Sequence, residues 1–240
     1  MKHKEKLYIL AILIVAIAFM LFTKRKPYDI QSPSVRGVDV SRYQGDIDWQ
    51  ALENQGMKFA FIKATEGDDH RDDYFEKNWK ASHKTNMRVG AYHFYRFDIP
   101  GYEQAMNFIK TVPITDGMLP PAIDLEYYGD YINAPLPKEV VTGNLSVLLD
   151  HLTEHYGQYP IIYCNKYTYE KYVMGEFPNC HIWYRRIGAP PEIKDGREWL
   201  FWQYEHEGEL KGYEGIEKHI DLNIFNGNID ELLIYDNLVK

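Results

Sequence analysis

Two hydrophobic periods alternate along the body of the chain. Short apolar runs occur at Arg36–Val40, Phe59–Ala64, Val89–Phe94, Ala122–Leu125 and Ile161–Cys164. Longer amphipathic stretches separate them, at about Trp49–Gln55, Tyr74–Thr85, Tyr102–Thr111, Lys138–Tyr156 and Thr168–Met174. Strand followed by helix, five times over, predicts a parallel sheet with its helices outside. Beyond residue 180 the pattern changes. His181–Arg185, Trp199–Tyr204 and Ile220–Phe225 read as strands joined by Gly-rich polar connections, and a short helix over Ile229–Asn237 closes the chain. The resulting eight strands suffice to close a barrel filled by side chains. Right-handed crossovers keep the helices on one side of the growing sheet, as a barrel requires. An open doubly wound sheet is the alternative. It calls for a Gly-rich phosphate turn after the first strand, and Asp39-Val40-Ser41-Arg42-Tyr43-Gln44-Gly45 is not one.

Ahead of this body, Leu7–Phe22 is an unbroken apolar run between two basic clusters. It is slightly shorter than an ordinary spanning helix. No small-x-small cleavage site follows, so the expectation is an uncleaved signal anchor over residues 7–23, with secretion after cleavage as the alternative. Residues 1–6 would then be a cytoplasmic N-terminus, 24–34 a polar linker and 35–240 the folded domain outside a single-pass cytoplasmic-membrane anchor.

Charge sharpens this division. Residues 1–26 carry a net +5, which leaves −13 on the rest of the 240-residue chain. Phosphate backbones repel such a body, so nucleic acid is excluded as a partner. With 20 Tyr among its aromatics, the chain has rings to stack on sugars, although aromatic side chains also fill cores. Two cysteines are too few for a disulfide scaffold. Cys164 ends one strand and Cys180 begins the next parallel one, at opposite ends of the sheet, so both are expected as free, buried thiols.

In a parallel barrel, chemistry collects at the C-terminal ends of the strands. Those ends carry Asp39, Glu66, Tyr92-His93-Phe94, Asp124-Leu125-Glu126, Trp202-Gln203-Tyr204 and Asp221. Asp124 and Glu126 are the sharpest signal. Residues two apart on a strand face the same side, so both acids point into the barrel mouth while Leu125 faces the helices. Like charges at that spacing raise one pKa and leave a proton donor beside an ionised partner, the pairing that glycoside cleavage requires. A solvated loop pair and a metal-holding pair are the other readings of a D-x-E. Asp46 and Asp48 read as helix-start residues. His93, between aromatics, reads as a hydrogen-bonded core residue. Lys63 reads as an ion-pair partner of Glu66 or Asp124. The remaining histidines lack metal-ligand spacing, and neither a P-loop nor a G-x-S-x-G elbow occurs. No metal, nucleotide or redox cofactor is implied.

Taken together, several motifs resemble glycoside hydrolase family 25, the Chalaropsis-type muramidases. They are Gly37-Val38-Asp39-Val40-Ser41-Arg42-Tyr43-Gln44-Gly45-Asp46-Ile47-Asp48-Trp49, Phe61-Ile62-Lys63-Ala64-Thr65-Glu66-Gly67, Gly90-Ala91-Tyr92-His93-Phe94, Asp124-Leu125-Glu126, Trp202-Gln203-Tyr204 and Ile220-Asp221-Leu222-Asn223-Ile224-Phe225-Asn226-Gly227. The resemblance implies a flattened TIM-like α/β barrel of five βα units followed by three strands. It implies a monomeric hydrolase of the β-1,4 bond between N-acetylmuramic acid and N-acetylglucosamine, with peptidoglycan glycan strands as its partner. Carried over by motif, Glu126 would be the general acid with Asp124 beside it. Asp124 would orient the substrate's own acetamido group, or a carboxylate would attack directly; both routes retain configuration. Asp39 and Asp221 match the family's other rim aspartates, and Tyr92, Tyr163, Trp183, Trp202 and Gln203 are the expected sugar contacts. Cys164 departs from the small residue expected at its position. A glycan-binding protein on the same fold that has lost turnover is the alternative from another class. A retaining hexosaminidase acting on chitin-like chains is a third.

Overall fold

The computed structural model describes residues 34–238. The expected anchor at 7–23 and nearly all of the linker lie outside the described residues. Among the described residues no helix is long and apolar enough to cross a membrane.

All eight expected strands form. They are β1 (Val35–Val40), β2 (Met57–Glu66), β4 (Arg88–Phe94), β5 (Ala122–Leu125), β6 (Ile161–Asn165), β7 (His181–Arg185), β8 (Trp199–Gly208) and β9 (Ile220–Phe225). A ninth strand, β3 (His70–Arg71), was not expected; it folds back antiparallel on Thr65 and Glu66. Two polar residues are too few to show a period, so only the hairpin reveals it. Around the barrel the order is β1-β2-β4-β5-β6-β7-β8-β9, and β9 pairs back onto β1. Every neighbour is parallel from β1 through β8; β9 runs antiparallel to both β8 and β1. The expected architecture is therefore corrected to a closed, mixed eight-stranded barrel with one extra strand.

Five connections carry helical structure, as expected. The helices are α1 (Trp49–Asn54), α2 (Phe75–Ser82), α3 (Gly101–Thr111), α4 (Lys138–Tyr156) and α5 (Lys166–Thr168). The longest, α4, buries Val141, Leu145, Leu148, Leu149, Leu152 and Tyr156 at helical spacing and stops at Gly157, whose φ of 67° suits a residue without Cβ. The helix expected over Thr168–Met174 is different: α5 runs into a single π turn at Tyr169–Val173. The wider turn buries both Tyr169 and Tyr172, whose hydroxyls donate to Asp195 and to the Leu136 carbonyl. The final helix, α6 (Ile229–Leu233), stops short of the expected end at Asn237. Asn237 is drawn away to Tyr159, with which it exchanges a backbone and a side-chain hydrogen bond.

Strand alternation sorts the apolar residues into two layers. Ala60, Ile62, Ile123, Leu125, Ile162, Cys164, Ile182 and Tyr184 face the helices and join the outer core. Val35, Phe59, Phe61, Ala122, Ile161, Tyr163, Trp183, Phe201 and Phe225 fill the barrel interior, and Leu232 of α6 plugs its floor. The interior is tight: a Cβ on Gly37 would meet the Phe59 ring at 2.5 Å, so only glycine fits beside that ring. Read upward, each inward row changes from apolar to polar. Phe59 and Phe61 lead to Lys63, Ala122 to Asp124, Tyr163 to Asn165, Trp183 to Arg185, Phe201 to Gln203, and Phe225 to Asn223 and Asp221. The core thus ends where the polar mouth begins.

Candidate active site

The mouth is a cleft of about 390 Å³ whose lining includes Asp39, Lys63, Tyr92, Asp124, Glu126, Tyr163, Arg185, Gln203 and Asp221. Of the five acids at the strand ends, Asp39, Asp124, Glu126 and Asp221 meet in one place and Glu66 does not, while the expected contacts Tyr92, Tyr163 and Gln203 join them. Trp183 and Trp202 do not line it. Trp183 is 2% exposed and stacks on Phe61 one layer below, at 4.6 Å between ring centroids. Trp202 has the opposite parity to the inward Phe201 and Gln203, and its indole Nε1 donates to the Arg186 carbonyl. The aromatic surface left to the cleft is Tyr43, Tyr92, Phe94 and Tyr163.

Asp124 ends the inward row of β5, and Glu126 follows on the same face. Asp124 Oδ1 is buried with no hydrogen-bond partner among the described residues. Burial, with the Glu126 carboxyl next to it, holds the Asp124 carboxyl well above the ordinary aspartate range, and Lys63 and Arg185 offset only part of this. Glu126 has a donor instead: Asn165 Nδ2 lies 3.2 Å from its Oε1. Asn165 caps α5, and its Oδ1 accepts from the amides of Tyr167 and Thr168. With the oxygen committed to the helix, the amide nitrogen must point at Glu126.

The second acidic pair crosses the closing seam of the barrel. Asp39 and Asp221 stand directly opposite in the antiparallel β1–β9 ladder. Like charges there are unfavourable, and burial pushes both carboxyls above the ordinary aspartate range. Asp39 Oδ2 accepts from Gln203 Nε2 at 3.0 Å and Asn223 Nδ2 at 2.7 Å. Those bonds oppose the burial that raises Asp39. Asp221 is pushed up to about 9 by burial and by repulsion from Asp39, to which it is hydrogen-bonded. Both amides are themselves aimed: Tyr163 donates its hydroxyl to Gln203 Oε1 at 2.8 Å, and Trp183 donates its indole to Asn223 Oδ1 at 2.8 Å. Trp183 and Tyr163 thus support the rim from beneath.

Other readings are settled by direct contacts. Lys63 Nζ lies 2.8 Å from Glu66 Oε2 and over the Phe94 ring. His93 is fully buried between Thr65 and Gln104; burial lowers its pKa to about 4, so it stays neutral. Asp48 caps α1, whereas Asp46 instead pairs with Lys77. Cys164 and Cys180 are free and buried, and burial raises both thiols.

Sequence reasoning missed Asn165, Arg185, Asn223, His206, Glu217 and His219. The first three occupy the same inward parity as the acids, a signal that was there to use. The last three come from β8 and the β8–β9 connection, whose place on the cleft wall no local pattern shows.

The chain that carries this cleft has counterparts among known proteins. The model of glycosyl hydrolases family 25 matches residues 38–213. An uncharacterized protein of Escherichia coli K12, YegX, is 33% identical over 93% of this chain and 82% of its own length. Lysozyme M1 of Streptomyces globisporus is 29% identical over 85% of this chain and 71% of its own. A solved family 25 glycosyl hydrolase from Bacillus anthracis superposes with a TM-score of 0.83 at 47% identity, covering 89% of this chain and 99% of that one. The chain therefore belongs to family 25 of the glycosyl hydrolases and is a glycosidase.

Proposed function

We propose that the protein is a muramidase that cleaves, with retention, the β-1,4 bond between N-acetylmuramic acid and N-acetylglucosamine in peptidoglycan. The observation that carries this reading is the convergence of Asp124 and Glu126 on one cleft face, with the Asn165 amide holding Glu126. The likeness to lysozyme M1 supports the substrate class.

Glu126 gives its proton to the glycosidic oxygen as the bond to the anomeric carbon breaks. The acetamido carbonyl oxygen of the sugar before that bond attacks the same carbon, while Asp124 accepts from the acetamido N–H. Before substrate binds, burial of the Asp124 carboxyl favours its protonated form. An N–H donated to it favours its ionised form, so on binding its proton passes to the neighbouring Glu126, which thereby holds the proton it gives up, and negative charge returns to where the cyclic intermediate becomes positive. Glu126, now a base, takes a proton from water, which opens the intermediate on the original face. Asp39 and Asp221 bind sugar hydroxyls, and Tyr92, Tyr163 and Gln203 line the sugar's path. A wall substrate places this domain on the outer side of the cytoplasmic membrane.

Glu126→Gln keeps the shape of the side chain and removes the transferable proton. Release of reducing ends from purified peptidoglycan should fall by about 10²–10⁴-fold, while pull-down on insoluble peptidoglycan persists. A wild-type domain that binds and never cuts would establish the non-catalytic glycan-binding reading instead. Mass spectrometry of the products, showing which sugar carries the new reducing end, separates a muramidase from a chitin-type hexosaminidase.

A further inference from the structure

Arg185 completes the inward row of β7 above Trp183 and lines the cleft, partly exposed. In the sheet it lies level with Asn165 of β6 on one side and Gln203 of β8 on the other. Those two amides hold Glu126 and Asp39. A guanidinium so placed stands among the carboxylates, yet among the described residues it forms no ion pair with any of them. Its field still reaches Asp124 and Asp221, whose raised pKa values it moderates. Lys63, the other permanent cation of the lining, is already committed to Glu66.

The acidic side chains of the lining are Asp39, Asp124, Glu126, Glu217 and Asp221. Among these acids Arg185 is the permanent cation left unpaired, so an acidic ligand finds its favourable electrostatic place there. A planar guanidinium with its donors unclaimed matches a carboxylate in two-point geometry. Its position beside the amide that holds Glu126 puts this anion site next to the reacting bond, not at a distant end of the cleft.

We propose that Arg185 is a specificity residue that binds a carboxylate carried on the sugar preceding the scissile bond, namely the free lactyl acid of a muramic residue that has lost its peptide stem. This rests on the muramidase reading above. In stem-bearing strands that carboxyl is tied up as a neutral amide; once freed, it is an anion fixed to the ring at the reacting centre. The preferred substrate is therefore a denuded glycan strand. The reaction class that must supply it is hydrolysis of the amide bond between the lactyl carboxyl and the peptide.

The test uses the Glu126→Gln protein, whose turnover is slowed by about 10²–10⁴-fold, and calorimetric titration with three oligosaccharides of equal length. One has free lactyl carboxylates, one has lactyl carboxamides and one bears peptide stems. The acid should bind about tenfold more tightly than the carboxamide, as expected for one charge-assisted pair. Adding Arg185→Gln should bring that ratio to about one, and adding Arg185→Lys should keep part of it, which also guards against a folding defect. A ratio near one with Arg185 present, or a ratio unchanged by Arg185→Gln, overturns the proposal. So does an Arg185-dependent preference for the stem-bearing ligand, which would assign the cation to stem carboxylates. Reducing-end release by the wild-type protein reports separately on the muramidase reading: cutting without discrimination sinks only the role of Arg185.

Discussion

Asp124 and Glu126 share a strand face, and what differs between them is the company each keeps. Asp124 has a buried oxygen with no donor, whereas Glu126 has the Asn165 amide. Replacing that amide tests how much aim matters. In Asn165→Asp the new carboxylate still caps α5, but it repels Glu126 instead of donating to it. Turnover should drop roughly tenfold with melting nearly unchanged; unchanged kcat would show that the bond is incidental. Asp221 makes a second prediction, on stability. Folded, it keeps its proton to about pH 9, whereas unfolded it titrates near the ordinary aspartate value. Between those limits the folded state binds the extra proton, so stability falls as pH rises, by at most about 1.4 kcal/mol per pH unit for one proton. The melting temperature should fall between pH 5 and pH 9, and Asp221→Asn should flatten that slope. A slope identical in the variant would remove Asp221 from the account. The acid pair was legible because alternation along one strand is a local rule. The partners of each acid were not, because Asn165 and Asn223 acquire meaning only through lateral register.

At the scale of elements, the β8–β9 connection is the piece that no periodicity announced as functional. It is stitched to the turn after β1: the Glu217 amide donates to the Tyr43 carbonyl, Gln44 Nε2 donates to the His219 carbonyl, and Ile47 bridges Tyr213. At the crossing the backbones nearly touch, and a Cβ on Gly215 would lie 2.0 Å from the Tyr43 carbonyl oxygen. Backbone on both sides leaves nothing flexible to yield. Gly215→Ala should therefore push the connection off the β1 turn, cost about 1–3 kcal/mol in chemical denaturation, and lower activity by displacing His219 and Glu217 from the cleft wall. Wild-type stability and activity in this variant would mean that the wall adjusts freely. The βα units themselves were readable, since α4 and the apolar strands carry strong periods. The failures fell where tertiary bonds overruled local preference, at the Tyr169–Val173 π turn and beyond Leu233.

For the whole molecule, the decisive event is closure of β9 onto β1, which brings the first and last strands of the sheet together and sets Asp39 against Asp221. Closure also seals two layers of core, and the cysteines report on it. Cys164 sits beside Tyr184 in the β6–β7 ladder, while Cys180 precedes the residue level with Ile161, so the two lie several residues apart along the strands. Both thiols are buried and free. A thiol-specific disulfide reagent should label neither in the native domain and both after denaturation, in a single step with the loss of structure; early labelling of one would reveal a locally opening barrel. The sequence alone determined the alternation of strand and helix, the parity of each strand and so which acids face inward, because these depend on neighbours within one element. Only the tertiary structure decided which amide serves which carboxylate, that Trp183 supports the rim from below, and that Arg185 keeps its charge unspent. Those facts depend on register across strands and on closure of the ring, and neither leaves a period in the chain.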